Sequence, residues 1–342
     1  MALLLSLFID LSTLLPDMSG IINICVVGTN FISDWFADAA KITPGVALYA
    51  VYSRSAETGA AFARKHGIEN VYINYLDALK DENVSAVYIA SPTVCHSEQA
   101  CLAIEYGKHV LCEKMIAADL DGFLKMKSTA EKYGRVLLEA MRPAFDPAYN
   151  LVRSALDKIG KIRRASLEFC QYSSRYDKFK NGIVANSFDP AMKNSALADI
   201  GIYPLFVAVS LFGEPEELIC RSVRLSNGFE GSGQIMMGYS DKIVSIAYSK
   251  ISDGFSESVI EGEHGSIFIN KITSPTKLTL KIRGEKEEIL DYCAAENNMV
   301  YEIAAFRDMI NGVISHCENL ELSHSVMRCV DRAYKSSGVF SE

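Results

Sequence analysis

The segment Ile22–Ser33 (INICVVGTNFIS) constrains this chain more than any other. An apolar run, broken only by Asn23, stops at Gly28, and a polar turn leads into a helix-like stretch, DWFADAAKI. Strand, tight turn and helix in that order open a nucleotide-binding βαβ unit. The glycine lets the chain turn tightly, and the free N–H groups at the start of the next helix suit a pyrophosphate. A full fingerprint would read G-x-G-x-x-G, but Asn30 and Ser33 stand where the second and third glycines would fall. Asn30 tolerates a left-handed backbone and would preserve the turn, although its side chain fills space that a pyrophosphate approaches. Ser33 is small enough for close helix–strand packing. An ordinary βα turn without a ligand is the competing reading.

The alternation then continues. Val46–Ser53 (VALYAVYS) reads as a second buried strand, and Val71–Ile73, Ala86–Ala90, His109–Cys112 and Val136–Glu139 follow, with helical segments between them. Strands and helices alternating at this spacing form a parallel sheet with helices on both faces. Ligands of such sheets sit beyond the carboxyl ends of the strands, where Gly28, Ser53, Ser91, Glu113 and Glu139 all fall. After the second strand no carboxylate occurs until Glu57. Arg54 with its flanking serines can instead hold a 2′-phosphate, because the guanidinium is a rigid fork of donors. The alternative is a helix-capping serine beside a surface arginine.

Beyond Gly160 the period changes to two. Ile162–Gln171 alternates, and from Glu217 onward five segments do the same, joined by NG, DG and RG turn signals. That pattern predicts a large, mostly antiparallel sheet with one open face, closed by helices over 298–314 and 322–337. The fold class is therefore α/β: a parallel Rossmann sheet over 21–142, then an α/β domain over 143–342. At 342 residues the chain has room for both cores.

Composition excludes several classes of function. A net charge of −8 with no basic run argues against a nucleic-acid partner. Nine scattered cysteines without a CxxC pair argue for a reducing compartment, the cytoplasm, and against a disulfide framework or structural zinc. The six histidines show neither HxxxH nor HExxH spacing, so no metal site is expected. Residues 1–17 are apolar, but Asp10 interrupts them and Pro16 ends them, too short a run for a membrane span. They read as an N-terminal extension (1–20) or packed helix, with an export signal second, and Met18 is an alternative start.

With these pieces in order, the chain resembles the glucose–fructose oxidoreductase and inositol dehydrogenase family, Gfo/Idh/MocA, over roughly residues 20–338. The likeness rests on GTNFIS, YSRS, ASPTVCHSEQA, CEKM, EAMRPAF and LADIGIYPL, in that sequence, followed by EGEHGSI and YEIAAF. The resemblance implies a nicotinamide cofactor and a sugar, cyclitol, dihydrodiol or related alcohol or carbonyl substrate. It implies dimers or tetramers through the open sheet face. Serine–arginine after the second strand points to NADP, with NAD the alternative. Carried over by motif, Gly28, Thr29, Asn30, Phe31, Ile32, Ser53, Arg54, Ser91, Pro92, His96, Glu113 and Lys114 line the cofactor.

Lys114 matches the lysine of the family's E-K-P motif, and Asp199 and Tyr203 match its D-x-G-x-[HY] motif. Asp199 and Tyr203 are i and i+4, so they would share a helix face. Tyr203 would exchange the proton on the substrate oxygen, and Lys114 would stabilise charge there. Asp199 would orient the substrate or the lysine, and Pro204 would bend the helix. Met115 departs from the family proline. Together with Asn30 and Ser33 it motivates an alternative, a non-catalytic NADP-binding sensor of the same fold. Each residue also has a plainer account: a surface lysine, a core tyrosine, a carboxylate at a helix N-terminus. The segment Tyr172–Lys193 would cover the site and set specificity.

Overall fold

The computed structural model describes residues 20–340, so the expectations for residues 1–17 lie outside the described part. Six strands form the first sheet: β1 (Ile22–Val27), β2 (Val46–Tyr52), β3 (Asn70–Tyr72), β4 (Ala86–Ile89), β5 (His109–Glu113) and β6 (Leu137–Ala140). Their spatial order is β3-β2-β1-β4-β5-β6 and every pairing is parallel. β1 and β4 are almost wholly buried because helices cover both faces, which is why their sequences read as apolar runs, broken in β1 only by Asn23. The order reverses between β1 and β4, and the crevice at that switch point opens beyond Gly28.

Local chemistry places the helices. Asn30 caps Phe31–Ile42, Ser55 caps Ala56–His66, and Gly67 ends the latter at φ 73°. Phe36 of the first helix stacks on Tyr88 of β4, with centroids 3.6 Å apart and planes 5° from parallel.

The second sheet has eight strands. They are β7 (Ile162–Cys170), β8 (Glu217–Arg224), β9 (Glu230–Gly238), β10 (Ile243–Ser249), β11 (Ser258–Gly262), β12 (Gly265–Ile269), β13 (Leu278–Ile282) and β14 (Glu288–Ile289). The order is β14-β13-β12-β11-β7-β10-β9-β8, antiparallel except for the β7–β10 pair. Along β10, Val244, Ile246 and Tyr248 are buried while Ile243 is exposed. The helices Ile202–Phe212 and Cys317–Ser337 pack against the covered face. Ile219, Val223, Met236 and Ile243 lie on the other face, each at least half exposed.

The expected open sheet is thus present, and three details differ. The last helix begins at Cys317, five residues earlier than the apolar pattern suggested, because its first turn is polar. The helix Met299–Ile310 returns to the first sheet: Met299, Ile303, Phe306 and Met309 are buried in the core beneath β1 and the first helix. Finally, the expected bend at Pro204 is replaced by a π-helical turn, Leu197–Gly201, leading directly into Ile202–Phe212.

Candidate active site

The cofactor side of the cleft is shaped by main chain. Gly28 has φ 106°, and a Cβ there would lie 2.9 Å from the Ala90 carbonyl oxygen, so the turn requires glycine. Asn30 does not take the left-handed backbone expected of it: φ is −89° and ψ −178°, an extended cap residue. Its Oδ1 accepts from the Ile32 and Ser33 N–H groups at 3.0 and 3.2 Å, and its Nδ2 donates to the Ala90 carbonyl at 2.7 Å. One carboxamide therefore clips the turn after β1 to the end of β4. Because Asn30 occupies the amides of Ile32 and Ser33, an entering pyrophosphate has the turn itself, Gly28 to Phe31. Ser33 is fully buried, as close packing demands.

At the end of β2, Arg54 is exposed while the hydroxyl of Ser53 pairs with Thr58 Oγ1 at 2.7 Å. Ser55 caps the following helix, so a capping serine and an exposed guanidinium stand side by side. Of the other residues assigned to the cofactor, Ser91 donates to Gln99 Oε1 at 2.6 Å, and Phe31 is 66% exposed. His96 is buried, with its two ring nitrogens 2.9 and 3.0 Å from the carbonyls of Ser91 and Met115. It ties the loop after β4 to the loop after β5, and burial holds its pKa below the usual histidine value. The Glu113 carboxylate is also turned inward, accepting from Tyr88 Oη at 2.7 Å and from the Lys114 N–H.

The catalytic side is made of charged side chains. Lys114 follows β5 and its peptide bond to Met115 is cis. Its Nζ donates to Asp199 Oδ1 at 3.0 Å and to the Asp199 carbonyl at 2.7 Å. The same ammonium lies 5.2 Å from the centre of the Tyr203 ring. The contacts of Asp199 are thus with lysines, Lys114 among them.

Pro204, five residues beyond Asp199, has no N–H to give to the Asp199 carbonyl, which accepts from Lys114 Nζ. Gly201 is needed in the π-turn because a Cβ would meet the Tyr248 ring at 2.7 Å. The far end of that ring is equally crowded against Gly233, and its hydroxyl donates to Glu230, which also accepts from the Leu197 N–H at 3.0 Å.

Electrostatics follow from burial and pairing. Burial opposes the charge of Lys114, but Tyr203, Asp199 and Glu113 outweigh it and hold the ammonium above the ordinary lysine value. Burial likewise pushes the Asp199 carboxyl up, and the Lys114 and Lys250 ammonium groups pull it well below the usual range. Burial raises Glu113, raises Glu139 to about 7, and raises Glu302 well above the ordinary carboxylate value.

Three residues of this centre escaped the sequence reading. Arg142, inside EAMRPAF, reaches the Tyr203 hydroxyl at 3.4 Å and lies 5.5 Å from its ring centre. Glu302, inside YEIAAF, is fully buried, and neither carboxylate oxygen has a partner among the described residues. Lys250 contacts Asp199 Oδ2 at 2.8 Å. Its signal was present: it continues the inward phase of Val244, Ile246 and Tyr248, where a lysine needs a partner.

Comparison with known proteins agrees with this geometry. Residues 22–141 match the Gfo/Idh/MocA oxidoreductase family's NAD-binding Rossmann fold, and residues 149–268 match a Gfo/Idh/MocA C-terminal domain. The chain belongs to the Gfo/Idh/MocA family. It is an NAD(P)-dependent oxidoreductase with a Rossmann cofactor domain. Among Gfo/Idh/MocA relatives, it is 37% identical over 320 residues to scyllo-inositol 2-dehydrogenase (NADP(+)) IolU of Bacillus subtilis, covering 93% of this chain and 98% of that one. It is 26% identical over 332 residues to trans-1,2-dihydrobenzene-1,2-diol dehydrogenase of Xenopus tropicalis, covering 93% and 98%. The fold is shared with KijD10, a 3-ketoreductase from Actinomadura kijaniata solved with NADP and TDP-benzene, at a TM-score of 0.83 and 21% identity over 93% and 98% of the two chains.

Proposed function

We propose that this protein interconverts an alcohol and a carbonyl on a polyhydroxylated ring, a cyclitol of the scyllo-inositol class, using NADP. The observation that carries the reading is the Lys114–Asp199 ion pair lying against Tyr203 at the strand ends. The turn Gly28–Phe31 would hold the cofactor's pyrophosphate, and Ser53 with Arg54 its 2′-phosphate; the exposed guanidinium and the glycine-tight turn fit both groups. A bound nicotinamide supplies the donor or acceptor of the hydride. Tyr203 takes up the hydroxyl proton of an alcohol, or returns it to a carbonyl oxygen. Lys114, fixed by Asp199, stabilises the negative charge that develops on that oxygen. The likeness to IolU supports both the cyclitol class and NADP.

The exposed apolar row Ile219, Val223, Met236 and Ile243 supports association of two or four copies through the open sheet. The free thiols, five of them buried, support a cytoplasmic setting.

The test is NADP reduction with scyllo-inositol by the wild-type protein and two variants. Tyr203→Phe and Lys114→Met should each lower kcat by about 10²–10⁴-fold. A variant that keeps full turnover loses its assigned role. Turnover of other polyols or of dihydrodiols, but not of cyclitols, would move the substrate class. No reduction with any of them would favour a nucleotide sensor.

A further inference from the structure

Lys250 stands just past β10, and its side chain is only 4% exposed. Its Nζ contacts Asp199 Oδ2 at 2.8 Å, while Lys114 holds Oδ1 of the same carboxylate at 3.0 Å. The same Nζ donates to the Ser187 carbonyl at 2.9 Å and lies 4.6 Å from the ring centre of Phe188 and 5.2 Å from that of Phe229. The Lys250 carbonyl in turn accepts from the Ser173 N–H at 2.9 Å. Main chain and side chain of one residue thus hold both ends of the segment between Ser173 and Ser187, whose Tyr176 and Phe179 rings pack with those of the flanking Tyr172 and Phe188.

Charge counting gives this contact a chemical consequence. A lone Lys114–Asp199 pair would be neutral and would offer little to a developing negative oxygen. Two ammonium groups on one carboxylate give these three side chains a net charge of +1, beside the buried Glu113 carboxyl and the Arg142 guanidinium, in a partly buried site where water screens charge poorly. We propose that Lys250 is a positioning residue of the catalytic centre: it takes half of Asp199 away from Lys114 and clasps the specificity segment to the same carboxylate. Without Lys250, Asp199 draws fully on Lys114, and the segment expected to cover the site loses its tie to Asp199. This proposal rests on the role assigned to Lys114 above.

The experiment compares Lys250→Met and Lys250→Arg with the wild type, using scyllo-inositol and NADP for turnover and NADPH titration for cofactor affinity. Methionine fills similar volume, and Lys114 stays on Asp199 Oδ1, so the carboxylate is not left without a cation. Lys250→Met should lower kcat by about tenfold to a hundredfold with NADPH affinity within about threefold of wild type. Lys250→Arg, which restores a cation of similar reach, should recover most of kcat. Trypsin should cut after Lys178 or Lys180 faster in Lys250→Met than in the wild type, because the clasp is gone. The proposal is overturned if Lys250→Met keeps kcat within about twofold, or if NADPH affinity falls by the same factor as kcat. If the wild type leaves scyllo-inositol untouched, the substrate reading fails separately. The clasp is then judged by proteolysis, where unchanged cleavage sinks it.

Discussion

The two walls of the cleft are built on different principles. The wall formed by β1, β2 and β4 is shaped by backbone: a glycine with nowhere to put a Cβ, an asparagine clipping two strand ends, a capping serine. The wall formed by the end of β5, the π-turn and the residue after β10 is shaped by charge: two lysines on one aspartate, with an arginine and a tyrosine beside them. The contrast teaches that the missing glycines of the fingerprint are a smaller loss than they look. Asn30 replaces a conformational device with a hydrogen-bonding one. The other wall, where the proposed chemistry rests on net charge, has no comparable substitution.

Changes to the charged wall should depend on pH, and changes to the backbone wall should not. Glu139 bridges the walls' supports, accepting from the Ile116 N–H at 3.1 Å and from the Ser323 hydroxyl at 2.7 Å. Its folded pKa of about 7 lies above the ordinary 4.5, so the folded state binds the proton more tightly. The sign follows: this contribution to stability is complete below pH 4.5, falls as pH rises towards 7, and is gone above it. The loss should be about 3 kcal/mol over that interval, read by urea unfolding at several pH values. Glu139→Gln should flatten that slope; an unchanged slope would assign it to another group.

A smaller effect tests the backbone wall's one charge. Arg54→Ala should weaken NADPH by about 10–100-fold in calorimetric titration and leave NADH unchanged. Equal weakening of both would remove Arg54 from the 2′-phosphate. Smallest of the three, Asn30→Ala should cost about 1 kcal/mol of stability through the lost cap. If it instead abolished NADPH binding, Asn30 would be a ligand contact as well as a clip, and the two walls would differ less than stated.

Most of the first sheet was legible because its signals are local. Apolar runs, a glycine turn and capping residues fix each βα unit without reference to anything far away. Lys114, Asp199 and Tyr203 were reached only through the order of family motifs, since a lysine after a strand carries no chemistry by itself. Arg142 and Lys250 escaped because their partners are remote in sequence and only folding brings them together, and Glu302 because only folding buries it. The helix containing Asp199 was read with the wrong period for the same kind of reason. Pro204 suggested a bend, whereas a π-turn leads directly into the helix that carries the proline, and the Asp199 carbonyl accepts from Lys114.

Tyr248 spans the thickness of the covered sheet face, its ring wedged between Gly233 on β9 and Gly201 in the π-turn. That ring acts as a rigid spacer setting the height of the catalytic turn above the sheet. A methyl group added at Gly233 could not be absorbed by rotation, because the Tyr248 hydroxyl is held by Glu230. The displacement would pass through the ring to the turn that carries Asp199. An apparently silent glycine in the middle of a sheet strand thereby becomes a gauge for lysine alignment, and variation there would retune the enzyme without touching its chemistry.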